Sequence, residues 1–332
     1  MDDPARPRFP DVPAAAGHYE SYYLRAAHPV EPVGVWIRYT VHKRPGADPR
    51  GSLWFTLFDA AAEGPRAAKV THPDPRARGA DHIEIGGSSF GPAGARGEAL
   101  DASWDLTHVG GEPPLLHLPR DWMYRAPIPR TKTLSPHPAA LFRGSLTVGG
   151  RTLELEGWPG MVGHNWGAEH AERWIWLHGI GFGAVAEGSW IDVALGRIRL
   201  GPLTTPWIAN GAICLGGIRH RLGGVERTRS TRVHESPTRC EFVLPGAGIS
   251  VRGSVSSEAK NFVGWAYADP ADSEHNALNC SIADMRLAVT RHREPDLTLE
   301  TRARGDLRAW HARDRPRRAD PAFSRRLASE GR

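Results

Sequence analysis

The sequence predicts an all-β protein organised as two units, and three observations carry that prediction. Short β-branched and aromatic runs recur along the chain, mostly separated by turn residues at roughly the 8–12-residue spacing of barrels and sandwiches. Glycine and proline number 37 and 28 among 332 residues, which favours short elements joined by turns. No segment sustains a 3.6-residue apolar period with caps. One sheet system seldom closes over more than about 250 residues, so two units are expected.

The elements follow in order. Residues 1–17 are rich in proline and alanine and are expected to be loose. Residues 35–41 and 52–58 are β-branched and aromatic, and the turn-rich stretch between them makes a hairpin with a long loop. Over 99–108 the chain alternates. Leu100, Ala102, Trp104 and Leu106 share one face and Asp101, Ser103, Asp105 and Thr107 the other, the period of a half-buried strand. Leu146-Thr147-Val148, Gly149-Gly150 and residues 151–155 give the clearest hairpin, because a two-residue primed turn needs the positive φ that glycine supplies. Residues 157–160 (Gly-Trp-Pro-Gly) punctuate the chain, so the units are placed at 18–160 and 161–310. Residues 174–178, 190–195, 218–222, 240–244, 249–255, 262–268 and 281–289 read as further strands. Gly179, Gly181 and Gly183 follow a strand with no helix behind them and read as a bend or bulge. A short helix is expected over 321–329, within a basic tail at 311–332. No internal sequence repeat is visible, so any duplication is structural.

Composition narrows the function. Apolar residues make up 40% and charged residues 24%, which suits a packed core and excludes a disordered chain, a collagen or a polytopic membrane protein. The net charge of +5 belongs to the C-terminus. From Arg302 to Arg332 there are ten arginines against Asp306, Asp314, Asp320 and Glu330, a surplus of six that leaves the rest one charge negative. The folded body is therefore not basic, and nucleic acid is not an expected partner. The tail reads as a solvated terminus, with contact to nucleic acid or to an anionic membrane as the weaker alternative. Cys214, Cys240 and Cys280 are odd in number, far apart and without zinc spacing, which fits a reduced chain. The start lacks an apolar signal region, and no apolar stretch approaches the ~18–20 residues that cross a bilayer. A cytoplasmic location without stable membrane insertion is expected.

The most distinctive stretch runs from Gly163 to His178: Gly-His-Asn-Trp-Gly-Ala-Glu-His-Ala-Glu-Arg-Trp-Ile-Trp-Leu-His. It reads as a loop to Gly167, a polar connection, then a strand. On that strand Trp174, Trp176 and His178 point one way and Ile175 and Leu177 the other, which suggests an apolar space with a few polar tips. The stretch resembles the tocopherol cyclase-like family and its relatives, the carotenoid hydratases (hydroxyneurosporene synthases) and the AttH-like proteins. Tocopherol cyclases have a similar Asn-Trp-Gly followed by Trp-x-Trp, matched here by Asn165, Trp166, Gly167, Trp174 and Trp176. Where they tend to carry Lys before the Asn and Gln after the second Trp, this chain has His164 and His178. Uncharacterised bacterial members share the fuller Gly-His-Asn-Trp-Gly-x-Glu-His-Ala-Glu pattern, and residues 19–23 and 36–39 also look like that group. The resemblance implies two tandem lipocalin-like antiparallel β-barrels over about residues 18–310.

Candidate site residues follow. Trp166, Trp174 and Trp176, among twelve tryptophans, are expected to line a pocket, with Asn165, Glu169 and His170 beside them; core packing is the plainer reading for most of the others. Asp192 shares a strand face with Trp190 and Ala194 and would point into the barrel. A buried carboxyl there has its pKa raised and can serve as an acid, unless Arg173 or Arg197 pairs with it. His164 and His178 are candidate proton donors or bases. The spacing of His164, His170 and His178 fits no metal-ligand pattern, so no metal is expected. No nucleophile elbow, P-loop or dinucleotide loop in a βαβ setting appears, and no cofactor is expected. The expected function is a cofactor-free enzyme that cyclises, hydrates or isomerises a hydrophobic, isoprenoid- or polyketide-like small molecule by acid catalysis. The alternative is a lipid or terpenoid carrier of the same fold, which needs the cavity but not the acid.

Overall fold

The computed structural model describes residues 3–79, 81–183, 188–292 and 294–310. The basic tail at 311–332, with the helix expected at 321–329, lies outside the described residues. The first sheet contains β1 (His18–Ala27), β2 (Val33–Lys43), β3 (Arg50–Asp59), β4 (Arg66–Pro73), β5 (Arg76–Arg78), β6 (Asp81–Ile85), β7 (Ser88–Gly91), β8 (Gly94–Ala99), β9 (Ala102–Val109), β10 (Leu115–Leu116), β11 (Thr131–Val148) and β12 (Arg151–Gly167). The chain continues through β13 (Arg173–Ile180), β14 (Trp190–Arg197), a small ribbon of β15 (Arg199–Leu200) and β16 (Leu203–Thr204), β17 (Ile208–Leu215) and β18 (Ile218–Gly223). It ends with β19 (Arg232–Ser236), β20 (Arg239–Pro245), β21 (Ile249–Ser256), β22 (Val263–Ala268), β23 (Glu274–Arg291) and β24 (Leu297–Trp310). Among the described residues there is no α-helix, and no helix long and apolar enough to cross a membrane.

Both large sheets are antiparallel and curl into lipocalin-like barrels. Their strand orders are β4-β3-β2-β1-β12-β11-β9-β8-β7-β6-β5 and β18-β17-β14-β13-β24-β23-β21-β20-β19. The two orders share one plan. The first strand of each half lies between the second and the last, the last two strands form a long hairpin, and a short strand (β10 or β22) flanks that hairpin. The duplication is thus topological, without a repeat in the sequence.

Several expected elements appear as read. The Gly149-Gly150 turn has φ of 56° and 80° and joins β11 to β12. On β9, Ala102, Trp104 and Leu106 are buried between exposed Ser103, Asp105 and Thr107. Leu100 departs from that pattern. It lies in the turn before β9 at φ 55° and is 79% exposed, because the β8–β9 hairpin closes there. The boundary expected at 160/161 falls inside β12, which stays paired with β1 through Gly167; the change of sheet comes between Gly167 and Arg173. A Cβ at Gly160 would lie 1.9 Å from the Arg25 carbonyl oxygen, so that glycine permits close strand approach and does not end the element.

Two faces of the same strands serve different purposes. On β1 and β2, Tyr22, Leu24, Val35, Ile37 and Tyr39 fill the first barrel. The alternate residues Tyr23, Arg25, Trp36 and Arg38 turn outward, toward the second barrel. Trp36 and Trp54 join the second core and meet Trp265, at ring separations of 6.1 and 5.1 Å. Across the seam, Ile175, Leu177, Ile191 and Val193 fill the second barrel, while the opposite faces of β13 and β14 turn toward the first. Burial on both faces explains why β1 has no exposed residue. Arg25, fully buried, crosses the seam: Nη1 is 2.9 Å from His178 Nδ1, and Nη2 donates to the carbonyls of Ser281 (2.9 Å) and Arg304 (2.8 Å).

Candidate functional site

The outward faces of the two barrels do not meet everywhere. Between them lies a cavity of about 580 Å³, within the range of small-molecule sites. Tyr23 and Arg38 come from β1 and β2, Thr131 and Thr133 from β11, and Asn165 from β12. Trp174 and Trp176 on β13, Ala194 on β14, Asn210 on β17 and Tyr267 on β22 face them. The connection between β10 and β11 completes the wall with Leu118, Trp122, Met123 and Ile128. Strand alternation places Trp174 and Trp176 here as expected. The face they occupy is the seam between the barrels, whereas each barrel's own interior is filled with side chains.

Polar groups gather at one end. His170, just before β13, stacks on Tyr19 at a centroid distance of 4.0 Å. Its Nδ1 lies 2.6 Å from Asp269 Oδ1, its backbone N–H donates to the same oxygen at 2.9 Å, and its buried Nε2 has no hydrogen-bond partner. Asp269 is buried and also accepts from Ser273 Oγ (3.0 Å) and His275 Nε2 (2.5 Å) through Oδ2. Burial pushes the Asp269 carboxyl up, but the hydrogen bonds from His170 and His275 outweigh it and hold it well below the usual carboxylate range. An ionised Asp269 can only accept, so the His170 proton sits on Nδ1 and the Nε2 lone pair is free. Burial lowers the His170 pKa more than Asp269 raises it, so the ring is neutral at pH 7. Unpartnered Asn165 Oδ1, Tyr267 OH and Trp174 Nε1 belong to the same end. Arg38 joins them, its guanidinium 4.4 Å from the Tyr267 ring centre and donating to Ser21 Oγ at 2.6 Å.

A second imidazole–carboxylate pair stands at another wall. His117 lines the cavity, with Nδ1 3.0 Å from the Asn210 carbonyl and Nε2 3.5 Å from Asp192 Oδ2. Asp192 itself lies behind the wall, where it accepts from Trp176 Nε1 (2.8 Å) and Ser135 Oγ (2.5 Å). This corrects the sequence expectation in two ways. Asp192 turns to the seam and not into the barrel interior, because it pairs in register with His178 on the seam face of β13. Burial pushes its carboxyl up, but His117 foremost, with His178 and Ser135, brings it below its ordinary value. It is therefore an ionised acceptor that orients Trp176, not a stored acid. Arg173 pairs with Glu235 instead of Asp192, and Arg197 donates to the Thr205 carbonyl.

The other candidates divide clearly. Asn165, His170, Trp174 and Trp176 line the cavity. His178 stacks beneath Trp176 and is held by Arg25 and by the Pro138 carbonyl, 3.0 Å from its Nε2. His164 lies on the inner face of β12, 2.7 Å from Glu20 and stacked between Tyr22 and Trp166. Glu20 also accepts the backbone N–H groups of Arg8 and Phe9, so this network fastens the N-terminal segment to the first barrel. Trp166 packs on Ala5 and Leu134, and Glu169 pairs with Arg130 outside the cavity. His170, Asp269 and His275 bring three metal-type donor atoms within 4.8 Å of one another. Each facing imidazole nitrogen is already engaged by its own carboxylate oxygen, which makes the trio a complete hydrogen-bonded network. Sequence reading missed Arg38, His117, Tyr267 and Asp269. Arg38 alone left a signal, as the one charge inside the apolar run 35–41.

No family model matches the chain. Over 261 residues it is 29% identical to an uncharacterized protein of Mycobacterium tuberculosis, covering 72% of this chain and 78% of that protein. Among solved structures it is similar to an AttH-like protein from Nitrosomonas europaea (TM-score 0.56, 13% identity, 92% of this chain and 98% of that one). It is similar to kievitone hydratase from Nectria haematococca (TM-score 0.53, 13% identity, 93% and 91% covered). It is also similar to CghA with Sch210972 (TM-score 0.58, 12% identity, 88% of each chain). At these identities the likeness is one of architecture: the chain shares with these structures the fold of two tandem lipocalin-like barrels.

Proposed function

We propose that the protein is an enzyme that binds a hydrophobic small molecule, isoprenoid- or polyketide-like, in the cavity between its barrels and isomerises, cyclises or hydrates it by proton transfer. The observation that carries this reading is His170: a neutral imidazole at a largely apolar cavity, its Nδ1–H engaged by an ionised buried carboxylate and its Nε2 unpartnered. A carrier needs no such pair. Nε2 would take a proton from the bound molecule, or for hydration from a water whose oxygen bonds to it, Asp269 would stabilise the resulting imidazolium, and the same proton would return to another atom of the ligand. Trp174 and Trp176 would hold the ligand in a reactive shape. The fold likeness to kievitone hydratase is compatible with this chemistry.

The test begins with protein purified from its native host and extracted for small molecules by mass spectrometry. The extract is then incubated with wild type, His170→Ala, Asp269→Asn and a Trp174→Ala/Trp176→Ala variant. Wild type is expected to convert an apolar compound, and His170→Ala to bind it but convert it at least ~10²-fold more slowly. The kcat/KM of wild type should fall on acidification through an imidazole value below the usual ~6.5, because only the neutral ring is a base. Equal turnover by His170→Ala would sink the assignment of the base. Binding without conversion by any form would leave a carrier.

A further inference from the structure

We propose that the polar end of the cavity is an oxyanion subsite and that the ligand is an apolar acid, a hydrocarbon-rich body carrying a carboxylate or an equally compact oxygen anion. This rests on the cavity reading above and adds the chemical class of the ligand. The first support is the charge of the lining. Among the described residues that line the cavity there is one guanidinium, Arg38, and no carboxylate. Asp269 and Asp192 stand behind His170 and His117 and are engaged by them. A largely apolar space with one sign of charge on its wall favours an anion, and low polarity strengthens that preference.

The second support is the unpartnered donors among the lining residues. Tyr267 is 5% exposed and its hydroxyl has no partner; the Trp174 indole N–H is likewise buried and unpartnered. With Arg38 these donors stand beside two unpartnered acceptors, Asn165 Oδ1 and His170 Nε2, and they suit a ligand group with several lone pairs. The third support is how Arg38 is held. It is 4% exposed, fixed by Ser21 Oγ at 2.6 Å and laid over the Tyr267 ring at 4.4 Å, so the planar donor fork is already oriented before a ligand arrives. Its positive charge also reaches His170, where it opposes protonation of the ring. An anion at Arg38 would offset that effect, so ligand and base are electrostatically linked.

The experiment uses the full chain and a matched pair of fluorescent probes, 11-(dansylamino)undecanoic acid and its methyl ester, titrated at pH 7.5. The two differ in the anion and share the apolar body. Wild type should bind the acid about tenfold or more tightly than the ester. Arg38→Gln should lose that preference, Arg38→Lys should keep part of it, and Tyr267→Phe should weaken the acid a few-fold only. Equal affinity of wild type for the two probes, or a preference that survives in Arg38→Gln, would overturn the oxyanion subsite and leave the cavity reading standing. Failure of wild type to bind either probe would overturn both. Because acid–ester discrimination is read first in wild type, misfolding of a variant cannot rescue the proposal.

Discussion

Trp174 and Trp176 are neighbours on one face, yet they are held differently. Trp176 Nε1 donates to the ionised, buried Asp192, whereas Trp174 Nε1 has no partner. Trp176→Phe therefore removes a donor from a buried anion and should cost about 1–3 kcal/mol in urea unfolding, while Trp174→Phe should cost well under ~1 kcal/mol. Equal losses would show that packing, not the hydrogen bond, fixes Trp176. The same pair shows what was legible beforehand. Period-two alternation placed Trp174 and Trp176 on one face, and Asn165 and His170 came with the same stretch. Asp269 stood 99 residues from His170, and only the turn between β22 and β23 brings it there. His117, in a connection without periodicity, carried no mark at all. The acid role expected of Asp192 failed because burial was weighed without the neighbours that burial brings.

At the scale of elements, the long strands of the first barrel enclose a histidine pair. His108 on β9 and His137 on β11 lie 4.9 Å apart, and neither His108 nitrogen has a hydrogen-bond partner. Burial first, and then the charge of His137, push the His108 pKa down to about 4. Between that value and the unfolded value of about 6.5, the unfolded chain binds a proton that the folded barrel refuses. Stability is thus retained above pH ~6.5 and lost as pH falls toward about 4, on the order of 3 kcal/mol from this residue. Urea midpoints at pH 7.5 and 4.5 should differ markedly in wild type and distinctly less in His108→Leu. Alternation and the Gly149-Gly150 turn made β9 and the β11–β12 hairpin readable. The Gly157–Gly160 stretch misled as a boundary, because glycine and proline also occur where strands crowd one another, as at Gly160 beside Arg25.

At the scale of the molecule, Arg25 ties the halves together. It comes from the first strand of one barrel and donates to His178 Nδ1 and to the carbonyls of Ser281 and Arg304 of the other. Arg25→Met keeps the aliphatic stem but strands His178 Nδ1 and two carbonyls, at a cost of roughly 2–4 kcal/mol. In calorimetry, wild type should unfold in one transition, and the variant should show a lower midpoint or a split into two. A single transition at an unchanged temperature would show that apolar packing of Trp36 and Trp54 on Trp265 suffices. The two-unit plan was readable from length and strand spacing. The seam was not, because a strand buried on both faces hides which face looks outward.

A chain built twice on one plan would be expected to bind twice, once inside each half. Here both interiors are occupied by the chain's own side chains, and the open space lies where one copy of the plan leans on the other. Such a pocket belongs to neither half alone. It exists only where the two are joined, and each half supplies one wall, Arg38 standing on the first and Trp174 on the second.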